Sequence, residues 1–126
     1  MLKDHTLVNF EIPVNDPVML ARFYEQLFNW KFTKTFDPSG QMEYWMISHK
    51  DARPNETMGG LYKRIMGETG IINYFSVSSI DQSLRKAAAL GAKVIRDKQE
   101  IPGKGYFAII QDPDNNTFAL FQGKEM

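Results

Sequence analysis

The sequence predicts an α+β fold of two βαβββ modules forming a curved mixed sheet around a cup, with helices on the outer face. Three observations carry that prediction. Segments of period two alternate with two segments of helical period. The strand–turn–helix stretch Val8 to Phe28 (VNFEIPVNDPVMLARFYEQLF) returns near Ile72 as INYFSVSSIDQSLRKAAAL. Each of these units is followed by short strand-like segments broken by Gly, Pro, Asn and Asp. The modules then occupy residues 7–63 and 71–122 of one domain, 1–126.

Leu7 to Val14 alternates Val8, Phe10 and Ile12 with Asn9, Glu11 and Pro13, the period of a strand. If the apolar set packs on a helix, Asn9 and Glu11 look the other way. Asp16-Pro17 opens the first helix: the carboxylate accepts from orphan N–H groups, and proline suits the first helical position. Leu20, Phe23, Tyr24, Leu27 and Phe28 make one apolar stripe, expected in the core. Asn29 is expected to end the helix in a left-handed conformation. Trp30 to Phe36 and Met42 to Ser48 read as strands joined by a type I turn at Asp37-Pro38-Ser39-Gly40. Thr57 to Lys63 is a weaker strand whose Gly59-Gly60 suggests a bulge or a close approach by a ligand or backbone.

The second module repeats this order. Ile71 to Val77 is a strand, and Ser79 to Gln82 fits a capping box. Ile80, Leu84, Ala87 and Ala88 form the second stripe, and Gly91 stands where a helix terminates. Lys93 to Glu100, Tyr106 to Gln111 and Thr117 to Gln122 are strands, with turns at Pro102 to Gly105 and Asp112 to Asn115. An offset of 64 sets Val8-Asn9-Phe10 on Ile72-Asn73-Tyr74.

Composition narrows the function classes. Hydrophobic residues are 43% and aromatics 13%, enough for a packed core in a chain of 126 residues. Lys+Arg and Asp+Glu both number 15, so the basic excess of a nucleic-acid binder is missing. No apolar run approaches the roughly 20 residues that span a bilayer, and the opening MLKDHTL lacks a signal-peptide core. There is no cysteine, hence no thiolate site or cysteine nucleophile. A cytoplasmic protein with no membrane or nucleic-acid partner is the expectation.

With these elements in order, the sequence resembles the vicinal oxygen chelate superfamily of glyoxalases, bleomycin-resistance proteins and extradiol dioxygenases. The resemblance rests on Phe10 to Val14 followed by Asp16-Pro17 and Phe23-Tyr24; on Leu27 to Trp30; on Ala89 to Ala92; and on Asp112 to Asn116, close to the family's DPDGN turn with Asn115 in place of glycine. It implies paired βαβββ modules, often a homodimer, and a divalent metal held by His or Gln, Glu, His and Glu on four strands. Carried onto this chain, those positions are Asn9, about Gly60, Asn73 or Ile72, and Ala119. Two neutral amides without a carboxylate make a weak site for a hard cation. The usual metal ligands are therefore lacking, and no cofactor is expected.

What remains is an aromatic cup with a few polar groups, suited to a small organic ligand. The residues expected to line it are Asn9, Glu11, Trp45, Asn73, Phe107 and Phe121. Glu11 is the candidate catalytic base if it faces an apolar cup that raises its pKa. Three functions stay open: a metal-free small-molecule-binding protein, a glyoxalase-type lyase or isomerase using Glu11 or a non-standard metal site, and a ligand-free structural dimer. Ser76, Ser78 and Ser79 sit at a helix start, where capping explains them.

Overall fold

A computed structural model describes residues 3–35, 43–65 and 70–124. The turn expected at Asp37 to Gly40 lies outside the described residues. The chain divides into two compact units, one of Asn9–Ile71 and one that joins the residues before Asn9 to Ile72 and everything after it.

The first unit contains β1 (Leu7–Val14) from Asn9 onward, α1 (Pro17–Leu27), β2 (Trp30–Thr35), β3 (Tyr44–His49) and β4 (Gly59–Lys63). Its strands run in the order β2-β3-β4-β1. β1 and β4 are parallel, and the other two pairings are antiparallel. Alternation in β1 works as the sequence suggests from Phe10 onward: Ile12 and Val14 join Trp45, Ile47 and Leu61 in a core, with Phe10 and with Leu20 and Tyr24 of α1 packed against it, whereas Val8 packs in the second unit. Asp16 caps α1, its carboxylate accepting from the Met19 N–H at 3.2 Å.

Two expectations for α1 change. Only part of its stripe is core: Leu20 and Tyr24 pack inward, whereas Phe23, Leu27 and Phe28 are exposed. The helix also ends without a left-handed residue at Asn29. Phe28 closes it in extended conformation (φ −121°, ψ 165°), its N–H donating to the Tyr24 carbonyl at 2.8 Å, and Trp30 enters β2 directly.

The second unit contains β5 (Ile72–Ser76), α2 (Ile80–Ala89), β6 (Lys93–Ile101), β7 (Gly105–Gln111) and β8 (Thr117–Gly123). Its order, β6-β7-β8-β5, repeats that of the first unit, with β5 and β8 the parallel pair. The expected βαβββ repeat is thus present in both halves. Ile80, Leu84 and Ala87 of α2 pack on Ala108, Ile110 and Leu120. Ser79 Oγ accepts from the Gln82 N–H at 3.1 Å, and the Gln122 side chain takes the Ile80 N–H at 2.8 Å. These are two of the orphan donors of that helix end. Gly91, at φ 99°, supplies the left-handed exit.

The leading segment belongs to this unit. The His5 N–H donates to the Ser76 carbonyl at 2.7 Å, and the Ser76 N–H to the Thr6 carbonyl at 2.9 Å. The Ser76 hydroxyl donates to the Lys3 carbonyl, so this serine is a structural tie.

Candidate functional site

In the first unit the register sets Glu11 beside Gly60, Gly60 beside Met46, and Tyr44 beside Tyr62. Side chains alternate across a sheet, so Asn9, Glu11, Tyr44, Met46 and Tyr62 share the face opposite α1. On that face the Tyr44 hydroxyl donates to Glu11 Oε2 at 3.0 Å. The Asn9 side chain also hydrogen-bonds the phenol. An amide donor on the phenolic oxygen and a carboxylate on its proton make a short relay, Asn9 to Tyr44 to Glu11.

Gly60 makes the relay possible. A Cβ there would lie 1.8 Å from the Tyr44 hydroxyl and 2.1 Å from its ring carbon Cζ, far inside contact distance. The close approach read from Gly59-Gly60 is therefore made by a tyrosine side chain. Burial, then the Glu11 charge, then the Glu11 hydrogen bond push the Tyr44 phenol far above its usual range, with Asn9 pulling the other way. The phenol stays protonated and acts only as a donor toward Glu11.

The second unit shows a different face. Opposite α2, Ile72, Tyr74 and Ala119 are buried together, with Val8, Phe107, Ile109 and Phe121 packed against them. Phe107 and Phe121 are cross-strand partners, and the Tyr74 and Phe107 rings lie 6.5 Å apart. This surface is apolar and aromatic where the first unit's is polar.

The expected lining residues therefore divide. Asn9 and Glu11 come together, and Phe107 and Phe121 come together. Trp45 does not join them: it is buried in the α1-side core, with the Lys34 ammonium 5.3 Å from its ring centre. Asn73 is also misplaced by one residue. It is exposed and shares the face of Phe75, whose ring meets Phe118 edge-on at 5.9 Å, while Ile72 and Tyr74 point the other way. The alternative placement of the third ligand position at Ile72 is the one whose side chain faces with Ala119. Tyr44 and Tyr62 were not among the expected site residues. The glycine pair was their signal, but which side of β3 faced it depended on a parity the sequence left open.

The divalent metal that the family resemblance implies does not fit these donors. Of the four positions, Gly60 has no side chain, and its space is filled by the Tyr44 phenol. Ile72 and Ala119 are buried hydrocarbons, and Asn9 is engaged with Tyr44. Among the described residues no three His, Asp or Glu side chains gather as a metal group. His49 lies at a strand end and accepts the Asp51 N–H at 3.2 Å.

Known proteins place this architecture. The profile of the Glyoxalase/Bleomycin resistance protein/Dioxygenase superfamily matches residues 4–120. CFP32 of Mycobacterium bovis and of Mycobacterium tuberculosis, whose name carries a provisional glyoxylase assignment, is 30% identical over 121 residues. The match takes in 93% of this chain but only 44% of those relatives, so the chain spans less than half their length. Among solved structures, methylmalonyl-CoA epimerase from Mycobacterium tuberculosis superposes with a TM-score of 0.67 at 12% identity, covering 99% of this chain and 94% of that one. The Streptomyces coelicolor methylmalonyl-CoA epimerase in complex with 2-nitronate-propionyl-CoA gives 0.69 at 11% identity and covers 98% of both chains. At such identities the likeness is one of fold. The family profile spans nearly the whole chain and the two βαβββ units have the same strand order, so the protein belongs to the glyoxalase/bleomycin resistance/dioxygenase superfamily.

Proposed function

We propose that this chain is a metal-independent, small-molecule-binding protein of the glyoxalase/bleomycin-resistance type, working as a homodimer in the cytoplasm. The observation that carries the reading is the Asn9–Tyr44–Glu11 relay above Gly60. The relay takes up Asn9 and the space above Gly60, two of the four positions at which the resemblance implies metal ligands, and this supports a metal-independent reading. A half-buried polar relay flanked by Met46 and the buried Tyr62 on the same face has the composition of a small-molecule site: apolar walls for affinity and a few fixed polar groups for orientation. Glu11 serves as an acceptor that anchors the relay. With Oε2 taken by the Tyr44 hydroxyl, Glu11 acts in this reading as the anchor of the relay rather than as a general base. The cysteine-free composition suits a reducing compartment.

A thermal-shift screen of small organic compounds tests this. Compounds that raise the melting temperature of the wild type should do so equally in EDTA, and should lose most of the shift in Asn9→Ala. Absence of any stabilising compound would sink the reading. So would compounds that need added metal, or that are indifferent to Asn9→Ala and Tyr44→Phe.

A further inference from the structure

The outward side of α1 is unusually apolar. Val18 is 57% exposed, Met19 63%, Phe23 53% and Leu27 58%. A surface helix ordinarily turns charged residues to water, and contiguous exposed apolar groups mark interaction sites. With Asp16, Arg22 and Gln26, Val18, Met19 and Phe23 also line a shallow depression along the helix.

The charges on this face are arranged symmetrically. Asp16 lies three residues before Met19, and Arg22 three residues after it. At 3.6 residues per turn the two flank Met19 on opposite sides, each displaced about 4.5 Å along the axis. A twofold axis through Met19, with two α1 helices antiparallel, sets Asp16 opposite the partner's Arg22 and Arg22 opposite the partner's Asp16. Met19 then meets its own copy, with Val18 and Phe23 beside it. Among the described residues neither Asp16 nor Arg22 takes part in an ion pair. A patch that is self-complementary under a twofold rotation is the defining property of an isologous dimer interface.

We infer that α1 is the dimerisation surface and that its occupant is α1 of a second copy of this chain. The inference rests on the homodimer proposed above and adds which surface forms it. One helix face buries less than a standard interface, so the association falls in the weak class, with Kd on the order of micromolar.

Sedimentation velocity over a concentration series tests both levels. The wild type should pass from monomer to dimer as concentration rises. Arg22→Glu, which sets like charges across the axis, should raise Kd about tenfold or more. Met19→Lys should do the same. Asp16→Asn keeps the helix cap and removes one charge, so it should weaken the dimer with little loss of thermal stability. Ile95→Ser, on exposed β6, should leave Kd unchanged. A monomer at every concentration would overturn the homodimer reading and this surface together, and would leave the face to a different protein. A dimer indifferent to Arg22→Glu and Met19→Lys would overturn this surface alone.

Discussion

The hydroxyl of Tyr44 occupies the volume that any side chain at position 60 would need: a Cβ on Gly60 would sit 1.8 Å from it. A side chain can therefore enter at position 60 only if the phenol gives up its place.

Gly60→Ala should cost about 1–3 kcal/mol, the usual range for overpacking. It does so by driving the phenol out of its place. In Gly60→Ala/Tyr44→Ala the added methyl meets a vacated site, so the double variant should be much less than additive. Urea denaturation of the four proteins in the cycle measures this. Additive costs would show that the two positions do not share the space.

Tyr44→Phe removes the donor to Glu11 and should cost about 1–3 kcal/mol, since it leaves a part-buried carboxylate without one of its hydrogen bonds. Tyr44 also sets an alkaline limit. Its folded-state pKa is raised far above the ordinary value of 10.0. Above that ordinary value the unfolded chain has lost the phenolic proton and the folded chain keeps it. Stability should then fall by about 1.4 kcal/mol per pH unit, with the full contribution present below it. Denaturation at a series of pH values above neutrality should show this slope in the wild type and a shallower one in Tyr44→Phe.

Asn115 holds φ at 66° in the Asp112 turn, where its N–H donates to the Asp112 carbonyl at 2.9 Å. Asparagine tolerates this left-handed position and alanine does not. Asn115→Ala should therefore lower stability by about 1 kcal/mol, while Asn115→Gly should match or exceed the wild type. Thermal melts of the three proteins decide this.

Asn9 and Asn73 are equivalent in the internal repeat but face differently. Asn9→Ala should disturb Tyr44 and any ligand binding that depends on it. Asn73→Ala, at an exposed position on the α2 side, should change stability by less than about 0.5 kcal/mol and leave binding alone. An isothermal titration with any compound from the screen separates the two.

Most of the architecture was legible in the sequence because it depends on local chemistry. Asp16, Ser79 and Gly91 fix helix ends through single side chains or one φ angle, and all three act as their residue types dictate. β1 was legible because Val8, Phe10 and Ile12 alternate without interruption. The site was less legible because it depends on parity. Moving one residue along a strand reverses the face, and β3 reads Tyr44-Trp45-Met46-Ile47, with a large side chain at every position. Nothing local says that Trp45 goes to the core and Tyr44 to the other face; the register with Gly60 does. The same holds at β5, where the repeat pointed to Asn73 and packing selects Ile72 and Tyr74. The α1 stripe failed for another reason: periodicity shows that a face is apolar, and does not say what covers it.

The attachment of Lys3 through Val8 to the second unit has a consequence for synthesis. The segment before Asn9 is tied to Ser76, at the end of β5, by hydrogen bonds from His5 and to Thr6. Residues 5 and 6 therefore gain these partners only once position 76 has been made. Asn9–Ile71 can begin to organise in the meantime, since its pairings lie within itself. A fragment beginning at Ile72 would lack the segment that covers Ser76. A chain opened near position 70, with residues 3–8 carried after Gly123, would restore it and gather the second unit into one continuous stretch of sequence.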